Sequence, residues 1–187
     1  MKIVVIKVGG SLFDLPDLAE RLEGILRQRK DDSILLIAGG GAVVDLVRRW
    51  DRIHKLGEER SHWLALKAMG VNENLLQSIV VNSQIVLNRT EAEKVWQRGG
   101  ISILNCCRFL KSEEATTNAM LPHTWEVTSD SIAAWVTRHW PADELLLLKS
   151  VDQKNSTEAV DAHFATLISP LQNLSWCNLR EGIISKS

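Results

Sequence analysis

Two short apolar runs, each ending in glycine, constrain this chain more than any other feature. Residues 3 to 8 read IVVIKV, broken only by Lys7, and Gly9-Gly10-Ser11 follows at once. Residues 33 to 38 read SILLIA and run into Gly39-Gly40-Gly41. An apolar run without polar alternation has to be covered on both faces, the condition of a strand inside a parallel sheet. Each glycine turn opens onto helical periodicity. Leu18, Leu22, Ile25 and Leu26 share one face of residues 17–29, and Val43, Val47, Trp50 and Ile53 mark a helix from residue 42. Strand, glycine turn and helix, given twice, imply an α/β three-layer sandwich with a mainly parallel central sheet covered on both faces.

The rest of the chain extends that pattern. Residues 58–84 read as one or two helices with Trp63, Leu66, Met69, Leu76, Ile79 and Val80 apolar, and residues 101–104 as a short strand after Gly99-Gly100. The polar stretch 106–124, with Pro122 near its end, reads as an irregular loop on the substrate side. A helix is expected over 129–139, capped by Thr128 or Ser129. A buried strand over 144–148 ends at Lys149; a loop over 152–156, a helix over 158–167 and a last strand over 174–179 follow. With 187 residues and neither repeat nor low-complexity linker, the expectation is one domain over 1–187.

Charge narrows the partners. Twenty-two basic and 23 acidic residues leave a formal net charge of −1, without the basic excess that nucleic acid or an anionic membrane demands. The first apolar run is too short for a signal peptide, and no stretch reaches the roughly 18 apolar residues of a membrane span. Cys106, Cys107 and Cys177, odd in number and without a CxxC spacing, suit reduced thiols in a cytoplasmic protein. Seven tryptophans and no tyrosine read chiefly as core and interface fillers, each needing one partner for its N–H, with stacking on a flat substrate ring as the alternative.

The residues with chemical content gather where strands end. Ligands of open α/β sheets collect at the carboxyl ends of the strands. There Gly9, Gly10 and Ser11 allow close backbone approach to a phosphate, and Lys7 supplies a compact positive charge. A lysine snorkelling beside an ordinary turn fits the same spacing equally well. Gly39, Gly40 and Gly41 open a helix, whose free N–H groups and dipole favour an anion; three glycines in succession imply that something comes very close to the backbone. Neither loop is a Walker A or a GxGxxG sequence. Thr128, Ser129 and Asp130 begin another helix, where a plain cap is the simple reading, and Lys149 ends another strand. Together Lys7, Asp130 and Lys149 could form one cluster, and phosphoryl transfer needs mainly positioning and charge neutralisation. His54 and His62 flank a helical turn without an HExxH pattern, and either a phosphate contact or a structural role suits them. No metal-ligand set is legible.

These segments resemble the amino acid kinase superfamily, with its aspartate, glutamate, acetylglutamate and uridylate kinases. The match runs through KVGGS (7–11), AGGGAVVD (38–45), TSDSIAAW (128–135) and LLLLKSVD (145–152). The resemblance implies a carbamate kinase-like fold and a Mg2+-ATP-dependent transfer to a small anionic metabolite. Lys7 would contact the transferring phosphate, Gly9 and Gly10 the nucleotide phosphates, Gly39 to Gly41 the acceptor, and Asp130 would hold the lysines. Ser11, Lys149 and Asp152 would fall on the nucleotide side, and a homo-oligomer is implied. HKLGE (54–58), HWLALKAM (62–69) and WEVTSDS (125–131) look like a compact subgroup whose archaeal members phosphorylate an aminomethylfuran methyl phosphate in methanofuran biosynthesis. On that analogy His54 or His62 touches the acceptor phosphate and Trp125 packs on the furan. Where the family usually reads Asp-Gly, this chain has Asp152-Gln153, and 38 residues follow Lys149. The expected layout is therefore an acceptor side over about 1–140 and an abbreviated nucleotide side over about 141–187. A glutamate 5-kinase-like activity, as in the kinase half of a pyrroline-5-carboxylate synthetase, and a catalytically degenerate nucleotide or metabolite sensor are the alternatives. Arg48, Arg49 and Asn82 are available for a carboxylate acceptor.

Overall fold

A computed structural model describes residues 2–116, 121–152, 163–168, 173–181 and 183–186. Strand β1 (Ile3–Val8) lies at the centre of the sheet, with β2 (Ser33–Ala38) on one side and β5 (Glu144–Lys149) on the other, both parallel to it. Outward from β2 come β4 (Ile101–Leu104) and β3 (Ser83–Val86); outward from β5 come β6 (Leu174–Asn178) and β7 (Ile183–Lys186). Only the β6–β7 pair is antiparallel. Helices α1 (Leu18–Arg27), α2 (Gly41–His54), α3 (Glu58–Ile79), α4 (Arg89–Trp96), α5 (Cys106–Glu114), α6 (Ser129–His139) and α7 (Phe164–Ile168), with a single 3-10 turn over Gly10–Leu12, complete the described elements.

The central strands are buried on both faces, and their two-residue alternation divides the core in two. Val4, Ile6 and Val8 pack with Leu18, Leu22 and Ile25 of α1. Val5 packs on the opposite face, with Ile132, Ala133 and Val136 of α6. Leu145 and Leu147 share the Val5 face, whereas Leu146 and Leu148 share the other. Lys7 and Lys149 continue the Val5 and Leu147 rows, so the same alternation turns both lysines toward α6.

The structure corrects some local expectations. In α2 the buried residues are Val44 and Val47, whereas Trp50 and Ile53 are exposed. Strand β3 begins inside the stretch 58–84 expected to be helical, since α3 ends at Ile79, and helix α4 and strand β7 lie in segments for which the sequence predicts no element. The first half of the stretch expected as a loop over 106–124 is helical: it folds as α5, capped by the Asn105 side chain, which accepts from the Arg108 amide at 3.0 Å, while residues 117–120 lie outside the described residues and 121–124 are irregular. The Glu73 carboxylate also accepts from the Cys106 amide at 3.0 Å, supplying a partner to an N-terminal N–H that a helix cannot satisfy itself. Residues 158–162 of the expected helix over 158–167 lie outside the described residues, and α7 covers its described end. No described helix is long and apolar enough to cross a membrane. The three cysteines are free thiols, and four tryptophan N–H groups have partners: Trp63 on Glu59, Trp96 on Ile34, Trp125 on Asp51 and Trp176 on Val151.

Candidate active site

At the carboxyl edge of β1 and β5, Asp130 in the first turn of α6 sits between the two lysines. Lys7 Nζ lies 3.0 Å from Oδ1 and Lys149 Nζ 2.5 Å from Oδ2. All three side chains are almost fully buried. Burial alone would raise the Asp130 carboxyl, but the two ammonium groups outweigh it and hold the acid below its ordinary range. Lys149 is pulled down to about 8, first by burial and then by the like charge of Lys7, with Asp130 opposing both. Two positive charges on one carboxylate leave net positive charge at a strand edge, a receptor for an anion. Lys149 also lies 5.6 Å from the centre of the Trp176 ring.

The two glycine loops explain each other. Gly9 donates its amide to the Leu148 carbonyl at 2.8 Å and Gly39 to that of Val8 at 2.8 Å. A Cβ on Gly10 would stand 2.1 Å from the Gly41 nitrogen, and one on Gly39 would stand 2.4 Å from the Gly10 nitrogen. Gly41 adds a left-handed φ of 53°. The close neighbour that the glycine run implies is therefore, in the first place, the other loop. Asn72 of α3 fixes the arrangement, its amide donating to the carbonyls of Gly39 (2.7 Å) and Gly40 (2.8 Å).

A pocket of about 230 Å³ opens beside this junction. Gly10, Ser11, Gly40 and Gly41 line one side, and Thr128 and Ser129 at the start of α6 another. His62, Trp125 and Arg48 close it. The N-termini of α2 and α6 thus meet at one cavity, and both favour negative charge. The Thr128 side chain caps α6 by accepting from the Asp130 amide at 3.3 Å. Trp125 donates to Asp51 at 2.9 Å, and the Arg48 guanidinium lies 5.1 Å from its ring centre. His62 is kept neutral, its pKa pushed to about 4 by burial and by the neighbouring His123.

Sequence-based candidates divide accordingly. Lys7, Asp130 and Lys149 come together, and Gly10, Ser11, Gly40, Gly41, His62, Trp125, Thr128 and Ser129 share the pocket. Gly9 and Gly39 hold the loops from behind. His54 is exposed at the end of α2, outside the pocket. Asp152 lies just beyond β5, outside the pocket, where it accepts from Asn178 Nδ2 at 3.0 Å, and Ser11 Oγ meets Ser150 Oγ at 2.8 Å. Asn82 belongs elsewhere: it donates to the Gly99 carbonyl beside the start of β4, at the opposite edge of the sheet from the glycine loops. Asn72 was missed, although with Glu73 it interrupts the apolar stripe Leu66, Met69 and Leu76; a buried polar pair inside such a stripe is the available signal.

Fold and site together define an α/β protein whose sheet edge presents two glycine loops, two helix N-termini and a lysine–aspartate–lysine cluster to an anion. Residues 2–153 match the model of the amino acid kinase family, and the chain belongs to that family. The [5-(aminomethyl)furan-3-yl]methyl phosphate kinase of Methanocaldococcus jannaschii is 25% identical over 150 residues, which make up 79% of this chain and 66% of the relative. The match thus spans just under two thirds of that relative's own length. Among solved structures, the uridylate kinase of Archaeoglobus fulgidus superposes with a TM-score of 0.66 at 16% identity, covering 93% of this chain and 89% of that one. The UMP kinase of Bacillus anthracis gives 0.65 at 15% identity over 96% and 88%. The aspartate kinase of Synechocystis gives 0.63 at 12% identity, over 92% of this chain and 37% of that one. These likenesses establish an amino acid kinase-like fold.

Proposed function

We propose that this protein is a cytoplasmic phosphotransferase that moves the γ-phosphoryl group of ATP to a small anionic acceptor, with an aminomethylfuran methyl phosphate as the first acceptor to test. The observation that carries the proposal is the buried Lys7–Asp130–Lys149 cluster beside the paired glycine loops. Phosphoryl transfer asks a protein chiefly to place the reactants in line and to neutralise charge on the moving oxygens. In this reading Lys7 and Lys149 neutralise those oxygens, and Asp130 orients the two ammonium groups. Gly9 and Gly39 already commit their amides to carbonyls, so the amides of Gly10, Gly40 and Gly41 are the ones that meet phosphate. Ser11, Lys149 and Asp152 border the nucleotide. Thr128, Ser129, His62 and Arg48 bind the acceptor's anionic end while Trp125 offers a flat apolar face to its ring. The 25% identity with the furan phosphate kinase supports that acceptor, and an aromatic wall suits it.

Among the described residues no cluster of three metal-binding side chains lies at this edge, where Asp130 is already engaged by both lysines. These residues therefore fit magnesium brought in on the nucleotide phosphates better than a dedicated carboxylate cage. Assembly as a homo-oligomer belongs to the same proposal, supported by the exposed apolar residues Leu46, Trp50 and Ile53 on α2. The test is phosphoryl transfer from labelled ATP to the furan phosphate, UMP, glutamate and acetylglutamate, with Lys7→Ala beside the wild type. Turnover on one acceptor, abolished in the variant, is expected. Tight nucleotide binding without turnover on any acceptor would overturn the proposal in favour of a sensor.

A further inference from the structure

Away from the lysine cluster, three side chains converge where α3, the end of α5 and the segment before α6 meet. One possible ligand atom each from His62, Glu114 and His123 lies within 4.8 Å of the other two. His123 is held from both sides: its Nδ1 lies 2.5 Å from Glu59 Oε2 and its Nε2 2.9 Å from Glu114 Oε1. The His62 and His123 rings stack with centroids 4.4 Å apart. His62 is 6% exposed, yet its buried Nε2 has no hydrogen-bond partner among the described residues. A buried imidazole nitrogen left alone is costly unless something satisfies it.

We infer that His62, His123 and Glu114 form a site for a divalent transition metal of the zinc class. Two imidazoles and a carboxylate are a zinc-type donor set, whereas magnesium and calcium prefer oxygen throughout. Zinc bonds of about 2.0–2.2 Å in a tetrahedron set ligand atoms roughly 3.3–3.6 Å apart. The His123–Glu114 pair therefore has to open slightly, and His62 has to close by at most about 1.5 Å. Glu59 stands where a metal-bound histidine needs its second partner. By accepting at Nδ1 it fixes the ring and leaves Nε2 for the metal. Three protein ligands leave a fourth position open. Because His62 also lines the 230 Å³ pocket, the ion would tie the acceptor wall to α5.

The test uses untagged full-length protein, stripped with a chelator and dialysed against zinc chloride, with bound metal counted by mass spectrometry. One zinc per chain is expected. Glu114→Gln and His123→Gln should each weaken it more than about 100-fold, and Glu59→Gln by about 10–100-fold, the range for partners behind the ligands. Cobalt in place of zinc should give the visible absorption of a tetrahedral nitrogen–oxygen site, and melting of the stripped proteins shows whether each variant is folded. Substoichiometric zinc in the wild type would overturn the inference. So would a thiolate-to-cobalt absorption band, or zinc retained equally by all three variants, since both would place the ion on the cysteines. The wild-type stoichiometry and cobalt spectrum decide the matter even where a variant fails to fold.

Discussion

Replacing Asp130 by asparagine keeps the shape of the side chain and removes the charge between two buried lysines. At an effective dielectric constant near 20, unit charges 2.5–3.0 Å apart attract by about 5–7 kcal/mol before desolvation is counted. If only a fifth of one such pair survives as net support for the Lys149 ammonium, its loss is about 1.4 kcal/mol, or one pKa unit. Lys149 stands at about 8 with Asp130 in place, while burial and Lys7 already push it down. In Asp130→Asn it would fall to about 7 or below, and at pH 7.5 about threefold less of the lysine would be charged. Leaving both ammonium groups unpaired in the interior should also cost about 3–5 kcal/mol of stability. Calorimetric titration of a non-hydrolysable ATP analogue from pH 6 to 9 reads the first effect, and urea unfolding at pH 7 the second. Affinity in the wild type should decline as pH rises through about 8, and in the variant at least one unit lower. An identical pH limb in both proteins, or an unfolding free energy unchanged within about 1 kcal/mol, would refute the assignment of Asp130 as the charge that sustains Lys149.

The loop junction and the pocket give further tests. Gly10→Ala forces a methyl group to 2.1 Å from the Gly41 nitrogen, and backbone on both sides leaves it nowhere to go. Urea unfolding should show a loss of about 3 kcal/mol or more, and transfer should fall with it as the loops separate. Asn72→Ala strips a partner from the Gly39 and Gly40 carbonyls and should cost about 1–3 kcal/mol by the same measurement. Burial raises Glu73 to about 7, so between pH 4.5 and 7 the folded protein holds a proton that the unfolded chain has released. Its contribution is complete below pH 4.5 and is lost as pH climbs through 7, a decline of about 3 kcal/mol that Glu73→Gln should flatten in a pH series of unfolding curves. Trp125→Ala should raise the acceptor KM about tenfold with little change in kcat if the indole acts only as a binding face.

What the sequence disclosed follows from where burial is one-dimensional. Strands β1, β2 and β5 are apolar at nearly every position because both faces are covered, so they are visible without knowledge of their neighbours. Strand β3, half-exposed with the sequence SQIV, carries no such signature. Helix α5 was hidden for a different reason. Its start depends on Glu73, 33 residues earlier, as much as on the local cap at Asn105. The order β3-β4-β2-β1-β5-β6-β7 is likewise a through-space fact, as is the meeting of His62 with His123.

The candidate site shows the same division at the level of single residues. That Lys7 and Lys149 end buried strands could be read directly. That they meet one carboxylate depends on parity: Lys7 is two residues beyond Val5, and Lys149 two beyond Leu147, which pairs with Lys7 across the sheet. A one-residue shift of either strand would carry its lysine to the α1 face, away from Asp130. The glycines lock that register. Gly9, which extends β1, bonds to Leu148 of β5, and Gly39, which extends β2, bonds to Val8 of β1, so each loop hydrogen-bonds to the strand beside the one it extends. Bulk added at Gly10 therefore acts on the spacing of β1 against β2 as well as on the anion-binding surface. For that reason variants at the glycine loops should lose stability and transfer together, whereas Trp125→Ala should separate the two.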